Sequence, residues 1–240
     1  DKVGIMDEHS RWTWLEFNRR VNRLTHILLS LRRTKGDRAA LICENCHQYA
    51  EFLFAVAKGG LIGVCLNTRS TPSKLAYMVK DCQPRVILAQ DKFAPILGQI
   101  APGIAKDNII LIGEGGNYES LLASGRPDEP QVEVSEQDLY LIQYTTGTTG
   151  APKGIELTHK NWMNNCIVRF LLTRLPENEV YLVSAALYAA GNLGHFLAAC
   201  FAGVTVAIPV FSGKSFVEMV GREKVTSTYL NPTTYRIVRE

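Results

Sequence analysis

Tyr144-Thr145-Thr146-Gly147-Thr148-Thr149-Gly150-Ala151-Pro152-Lys153-Gly154 is the stretch that decides how this chain reads. It holds three glycines, four threonines and one lysine in eleven residues. An apolar run over 139–144 leads into it. Glycine lets the backbone turn where a side chain would collide, and the N–H groups of such a turn can converge on one anion. Threonine hydroxyls add donors, and the lysine ammonium adds a charge able to meet a phosphate. This is the composition of a loop that holds a polyphosphate. It is not a P-loop, G-x-x-x-x-G-K-[ST], because Lys153 follows Pro152 and precedes Gly154.

Residues 139–144 read as the strand that delivers the loop and 154–157 as the strand that leaves it, which predicts a strand-to-strand turn. Thr158 then caps a helix running through Arg169. Beyond it, strands are expected over 180–185, 204–208 and 227–230, with helices over 193–201, over 216–222 and from Thr233 onward. Upstream, Thr13-x-x-Glu16 is a capping box, and Phe17, Val21, Leu24, Leu28 and Leu31 follow on one helical face. That helix is expected to end near Gly36. Strands over 38–43, 64–66, 86–89 and 109–112 alternate with helices over 49–58, 71–81 and 93–100. Pro72 stands in the first turn of the second of these. The fold class is therefore α/β, with mainly parallel sheets and helices on their faces. The stretch over 113–136 carries Gly113, Gly115, Gly116, Gly125, Pro127, Pro130 and six acidic residues, and reads as a surface connection. It suggests a first α/β block over 1–112, a connecting segment over 113–137 and a second block over 138–240.

The chain has 240 residues, 46% hydrophobic and 20% charged, which suits one large soluble domain or two small ones. A net charge of +3 gives no case for nucleic acid or an anionic membrane. The basic cluster Arg32, Arg33 and Lys35 reads as a solvated helix end. The apolar window over 191–210 has the length of a membrane span. It contains Asn192, His195 and Pro209 and turns midway to alternating Val204-Thr205-Val206, so a helix followed by a buried strand is expected. The six cysteines, at 43, 46, 65, 82, 166 and 200, read as reduced thiols of a cytoplasmic protein. Cys43-Glu44-Asn45-Cys46-His47 matches the haem-attachment pattern C-x-x-C-H, but no second ligand pair stands near it, so neither haem nor zinc is expected. Asp1 is not a methionine, nothing at the start of these residues resembles a signal peptide, and both ends read as edges of a longer protein.

The 144–154 stretch resembles the phosphate-binding signature of the adenylate-forming enzymes, the AMP-dependent synthetases and ligases. That signature is written Y-T-S-G-T-T-G-x-P-K-G, and only Thr146 departs from it. The family contains acyl- and aryl-CoA synthetases, non-ribosomal adenylation domains and luciferases. The resemblance extends upstream to 41–46 and to Tyr49-x-x-x-Leu53-Phe54-Ala55-x-Ala57-Lys58-x-Gly60. Leu66-Asn67-Thr68-Arg69 is similar to acyl- and aryl-CoA synthetases in particular. Downstream, Thr158-His159-x-Asn161, Gly203-x-Thr205-Val206 and Asn231-Pro232-Thr233-x-Tyr235 also fit. The similarity covers nearly the whole chain and places it in the amino-terminal part of such an enzyme. Many relatives border their acyl pocket with a segment similar to P-L-F-H-x-x-G. Here Ala185-Ala186-Leu187-Tyr188-Ala189-Ala190-Gly191 corresponds, without the proline and the histidine. Anchoring on Gly191 puts Tyr188 at the histidine position, and a shift of one residue puts Ala189 there. The later signatures, an N-x-Y-G-x-T-E segment, a ribose-binding aspartate, a hinge and a carboxy-terminal lysine, do not occur in these residues. The chain alone is therefore not expected to turn over.

The resemblance implies ATP, Mg²⁺ and coenzyme A as cofactor and co-substrates, a carboxylic acid as substrate, and a carboxy-terminal domain as partner. No nucleic acid and no transmembrane segment are implied. A carboxylate attacks the α-phosphate of ATP to give acyl-adenylate and pyrophosphate, and a thiol then displaces AMP. Thr145, Thr146, Gly147, Thr148, Thr149, Gly150 and Lys153 are the nucleotide-binding candidates, and Lys153 is also the catalytic one. Thr145 is the candidate metal ligand, and Tyr188 and Gly191 the substrate-binding ones. A ligase that stops at acyl-AMP and loads a carrier protein is an alternative, as is a non-catalytic ATP-binding relative. His159, after its capping threonine, reads as a local structural residue. His195, in an apolar helix, reads as a core histidine rather than a base.

Overall fold

A computed structural model describes residues 2–31, 34–145, 151–176, 178–210 and 212–239. The strands are β1 (Val3–Met6), β2 (Arg11–Thr13), β3 (Arg38–Ile42), β4 (Ile62–Cys65), β5 (Val86–Gln90), β6 (Ile109–Ile112), β7 (Leu139–Thr145), β8 (Lys153–Thr158), β9 (Val180–Leu182), β10 (Thr205–Ala207) and β11 (Ser227–Thr228). The helices are α1 (Trp14–Ser30), α2 (His47–Lys58), α3 (Pro72–Cys82), α4 (Ala94–Ile100), α5 (Tyr118–Ser124), α6 (His159–Thr173), α7 (Ala190–Phe201), α8 (Gly213–Glu223) and α9 (Pro232–Arg239). They divide into two compact units. One is Arg19–Cys43 with Gln48–Lys160, and the other is Asp1–Asn18 with Glu44–His47 and Asn161–Glu240. This division differs from blocks drawn in chain order. Strand pairing decides membership: β1 runs parallel to β10, with Ile5 opposite Val206, while β7 joins β4, with Val64 opposite Ile142. Local periodicity carries no record of such long-range partners.

The unit over 19–43 and 48–160 is built on a six-stranded sheet in the order β6-β5-β3-β4-β7-β8. The first five strands run parallel, and β8 returns antiparallel at the edge. The central strands are apolar on both faces because helices cover both. Ile42, Val64 and Ile87 pack with Leu75, Met78 and Val79 of α3 and with Leu97 and Ile100 of α4. Thr71 caps α3 from its side chain, Pro72 opens it, and Gln83 closes it in the left-handed region at φ 45°. The stretch expected to be pure surface connection contains α5, with Tyr118 and Leu122 buried. Tyr118 donates its hydroxyl to Glu51 Oε2 at 2.5 Å, and Arg20 Nε donates to Glu51 Oε1 at 2.6 Å. Seven residues among glycines and prolines are too few to show a helical period, so the sequence hid α5.

The other unit carries a five-stranded sheet in the order β11-β9-β10-β1-β2, parallel except for β2. β1 and β2 form a hairpin absent from the sequence reading. Its turn is an Asp7 device in which Oδ1 accepts from the backbone N–H of His9 at 3.0 Å and of Ser10 at 2.8 Å. Phe216 and Met219 of α8 pack on Met6, Leu182 and Ala207, with Val238 of α9 beside them. The capping box before α1 is present: Thr13 Oγ1 accepts from Glu16 N–H at 3.2 Å, and Glu16 Oε2 accepts from Thr13 N–H at 2.8 Å. α1 stops at Ser30, short of Gly36. The apolar window over 191–210 resolves into α7 and β10. Among the described residues no helix is long and apolar enough to cross a membrane.

Candidate active site

β7 and β8 form the stem of the strand-to-strand turn. Tyr144 lies opposite Gly154, and Thr145 opposite Lys153. Directly opposed residues share a sheet face, so the Thr145 hydroxyl and the Lys153 ammonium leave the stem side by side. Both are exposed, and no described residue forms an ion pair with Lys153. Thr146, Gly147, Thr148, Thr149 and Gly150 lie outside the described residues. The stem is bolted down by Tyr144, which donates to Asp81 Oδ2 at 2.6 Å and lies 3.2 Å from the Met78 carbonyl. Burial, then the Asp81 hydrogen bond, push the Tyr144 phenol well above its ordinary range, so it stays a donor. Gly154 is small for a reason: a Cβ there would lie 3.0 Å from Ile142 Cγ2 and 3.3 Å from the Tyr144 ring.

At the far end of β8, His159 opens α6. Its N–H donates to the Asp138 carbonyl at 3.0 Å, and its ring stacks on Tyr140 with centroids 5.0 Å apart. Burial, against the nearby Asp138 charge, lowers its pKa. These contacts are local packing.

The 185–191 segment sits between β9 and α7 in the other unit. Tyr188 is half-buried in the turn before α7, and Gly191 is exposed in the first turn of α7, where a Cβ would meet nothing within 4 Å. The segment is held by a residue the sequence reading did not single out. Asn45, 5% exposed, donates from Nδ2 to the Ala185 carbonyl at 2.9 Å and accepts at Oδ1 from Leu187 N–H at 3.0 Å. One side-chain amide thus satisfies both a carbonyl and an N–H of an irregular stretch, as a paired strand would. The neighbouring His47 points its Nδ1 at Asp7 Oδ2, 2.5 Å away. Burial would raise the Asp7 carboxyl, but the hydrogen bond and charge of His47 outweigh it and hold the pKa at about 2. The C-x-x-C-H match is therefore a structural clasp. All six cysteines are outside disulfides.

His195 is not a plain core histidine. Arg169 Nη1–H donates to its Nε2 at 2.6 Å, and its ring stacks on Tyr229 with centroids 4.1 Å apart. Burial, then the Arg169 charge, bring its pKa down to about 4. Asn45, a variable position of the C-x-x-C-H match, and Arg169 carry no sequence signal of their own for these contacts, so only tertiary structure exposes them.

A magnesium ion retains most of its shell as water and substrate phosphate and needs only one or two protein oxygens. The exposed Thr145 hydroxyl is a hard oxygen donor of that kind. Among the described residues no group of three or more His, Cys, Asp or Glu side chains could cage a metal unaided.

A family described as AMP-binding enzyme matches residues 1–240. The feruloyl-CoA synthase of Amycolatopsis sp is 31% identical over 228 residues, covering 94% of this chain and 45% of the relative. The long-chain-fatty-acid–CoA ligase FadD13 of Mycobacterium tuberculosis is 28% identical over 246 residues, covering 96% of this chain and 46% of the relative. The N-terminal domain of FACL13 from Mycobacterium tuberculosis has the same fold. Its TM-score is 0.89 at 24% identity, covering 99% of this chain and 61% of that one. The chain spans about half the length of the curated relatives it matches.

Proposed function

Because the chain belongs to the AMP-binding enzyme family, we propose that the full-length protein is an ATP-dependent acid–thiol ligase of the acyl-CoA synthetase type. A carboxylate oxygen of the acid attacks the α-phosphorus of ATP, the bond to pyrophosphate breaks, and acyl-AMP forms. The sulfur of coenzyme A then attacks the acyl carbon, and AMP leaves with the electron pair of the broken C–O bond. The observation that carries this reading is the β7–β8 stem, which sets Thr145 and Lys153 opposite each other at the mouth of the Gly/Thr loop.

In this reading Lys153 supplies the counter-charge for the departing pyrophosphate, and the loop's N–H groups and the hydroxyls of Thr145, Thr146, Thr148 and Thr149 supply donors, with Gly147 and Gly150 giving the turn. Tyr144 keeps the stem in place through Asp81. Thr145 would hold Mg²⁺, whose chemistry is to neutralise phosphate charge. Tyr188 and Gly191, on a backbone fixed by Asn45, would border the acid. Six cysteines outside disulfides suit a reducing cytoplasmic setting.

Carboxylate-dependent ATP–pyrophosphate exchange by the full-length protein tests the proposal. Lys153→Ala should lower exchange by about 10²-fold, the scale for losing one preorganised charge at a transition state, with the melting temperature unchanged because the side chain is exposed. Exchange that survives the substitution intact removes Lys153 from the mechanism. CoA-dependent release of AMP identifies the acceptor.

A further inference from the structure

The carboxyl ends of β9 and β11 hold side chains that adenylation leaves unused. Arg169, on α6, donates from Nε to Asn165 Oδ1 at 2.8 Å as well as from Nη1 to His195 Nε2. Gly194 makes the room for it, since a Cβ there would lie 2.7 Å from both Arg169 Nε and Asn165 Oδ1. Tyr229, stacked on His195, is fixed from behind: its carbonyl accepts from Ser184 Oγ, and the adjacent Thr228 Oγ1 donates to the Leu182 carbonyl at 2.8 Å.

Both partners of Arg169 are neutral acceptors. Among the described residues no carboxylate lies within ion-pair distance of it. A guanidinium carries five N–H donors in one plane, and two are used by Asn165 and His195. The half-buried cation therefore keeps an unneutralised charge and N–H groups in the planar geometry that suits a carboxylate.

Through His195 and Tyr229, the residue just after β11, this cation lies toward the carboxyl end of the sheet. The sheet order β11-β9-β10 means that the chain steps from β9 through α7 to one side, then crosses back through α8 to the other side of β9. Right-handed crossovers put α7 and α8 on opposite faces, so the connections leaving β9 and β10 diverge at the carboxyl ends of those two strands, the position where ligands bind in open α/β sheets. The 185–191 segment leaves β9 at that edge, and His195 follows Gly191 by four residues, about 6 Å along α7.

We infer that Arg169, seated against His195, receives the second carboxylate of a dicarboxylic acid whose first carboxylate is adenylated. The inference rests on the adenylation reading and names the class of acid. A purely aliphatic acid would gain nothing from a guanidinium here.

The test compares hexanoate with adipate and octanoate with suberate in ATP–pyrophosphate exchange by the full-length protein, and adds the rise in melting temperature that adipate produces without ATP. Arg169→Met should lower the diacid-to-monoacid ratio of kcat/KM by about 10- to 100-fold, the loss of one charge-assisted pair. It should also abolish the adipate shift. Arg169→Lys should keep part of the preference, and Gly194→Ala, which retains the arginine but takes its space, should lower the ratio too. An unchanged ratio in folded Arg169→Met and Gly194→Ala overturns the anion site while leaving adenylation intact. An adipate shift that Arg169→Met removes, in a protein without exchange, supports the site and refutes adenylation. No exchange with any of the four acids and no shift overturns both.

Discussion

Replacing Arg20 by methionine strips a buried carboxylate of its cation, and the structure sets the size of the effect. Glu51 on α2 is 0% exposed. It accepts from Arg20 Nε at 2.6 Å and Nη2 at 3.3 Å, and from Tyr118 at 2.5 Å. Arg20 also donates to Glu119 Oε1 at 2.8 Å, so one guanidinium ties α1 to α2 and α5. Burial, then the Glu51 charge, hold the Tyr118 phenol well above its ordinary range, so it remains a donor but brings no charge. Methionine fills much of the arginine stem's volume, which isolates the electrostatic loss from a cavity. Breaking a buried pair from one side costs about 3–5 kcal/mol, a large share of the 5–15 kcal/mol that holds a domain together. Urea unfolding followed by circular dichroism reads this as a lower midpoint at unchanged slope. Arg20→Met/Glu51→Leu removes the stranded charge as well and should recover most of the loss, because an apolar replacement for a buried pair is often close to neutral. A single-variant loss below about 1 kcal/mol, on the scale of a surface pair, would refute the reasoning. So would a double variant no more stable than the single one.

Asn45→Ala orphans a carbonyl and an N–H at Ala185 and Leu187. It should cost about 1–3 kcal/mol and raise the KM for the acid more than that for ATP. Equal changes in both would mean that Asn45 serves the fold alone. Tyr144→Phe removes the donor to Asp81. About 1 kcal/mol of stability and a weaker ATP response of the melting temperature should go with it, and an intact response would detach the stem's anchoring from nucleotide binding. Asp7, held at about 2 by His47, has a folded pKa below its unfolded one. Its contribution is therefore present above the unfolded value and is lost as pH falls through about 2. The stability gap between the wild type and Asp7→Asn should narrow from pH 4 to pH 2, and a constant gap would separate Asp7 from acid unfolding. In NMR titration the His195 ring should titrate near 4 and move upward in Arg169→Met, since the adjacent positive charge is removed. A His195 titration indifferent to residue 169 would show that the two do not interact in solution.

How much of this was legible in the sequence depends on the range of the interaction that fixes each feature. The Thr13–Glu16 box, the Thr71-Pro72 helix start and the β7-loop-β8 turn are each decided within a few residues, and each stands where the sequence reading puts it. The β1–β2 hairpin and α5 escaped because their apolar sets are too short to show a period, although Asp7 to Ser10 carried a turn signal. Unit membership escaped because β1 finds β10 some 200 residues away, through a register no local window contains. The site divides in the same way. Thr145 and Lys153 come from one contiguous motif, and the hairpin alone suffices to oppose them. Cys43-Glu44-Asn45-Cys46-His47 shows the opposite case. Its most conspicuous residues, two cysteines and a histidine, match a haem-attachment pattern that the surrounding sequence does not support, and its outward-reaching amide is the one that holds the 185–187 backbone. Asn45 satisfies the backbone about 140 positions further along, at 185–187. An asparagine can offer a donor and an acceptor at once to an unpaired peptide, whereas cysteine can offer neither well. On the proposed reading, in which 185–191 borders the acid, the residues that hold its backbone are thus as informative about that acid as the side chains it displays. On that ground Asn45 and Arg169, both distant in sequence from the 144–154 loop, are the positions at which substitution should separate binding of the acid from binding of the nucleotide.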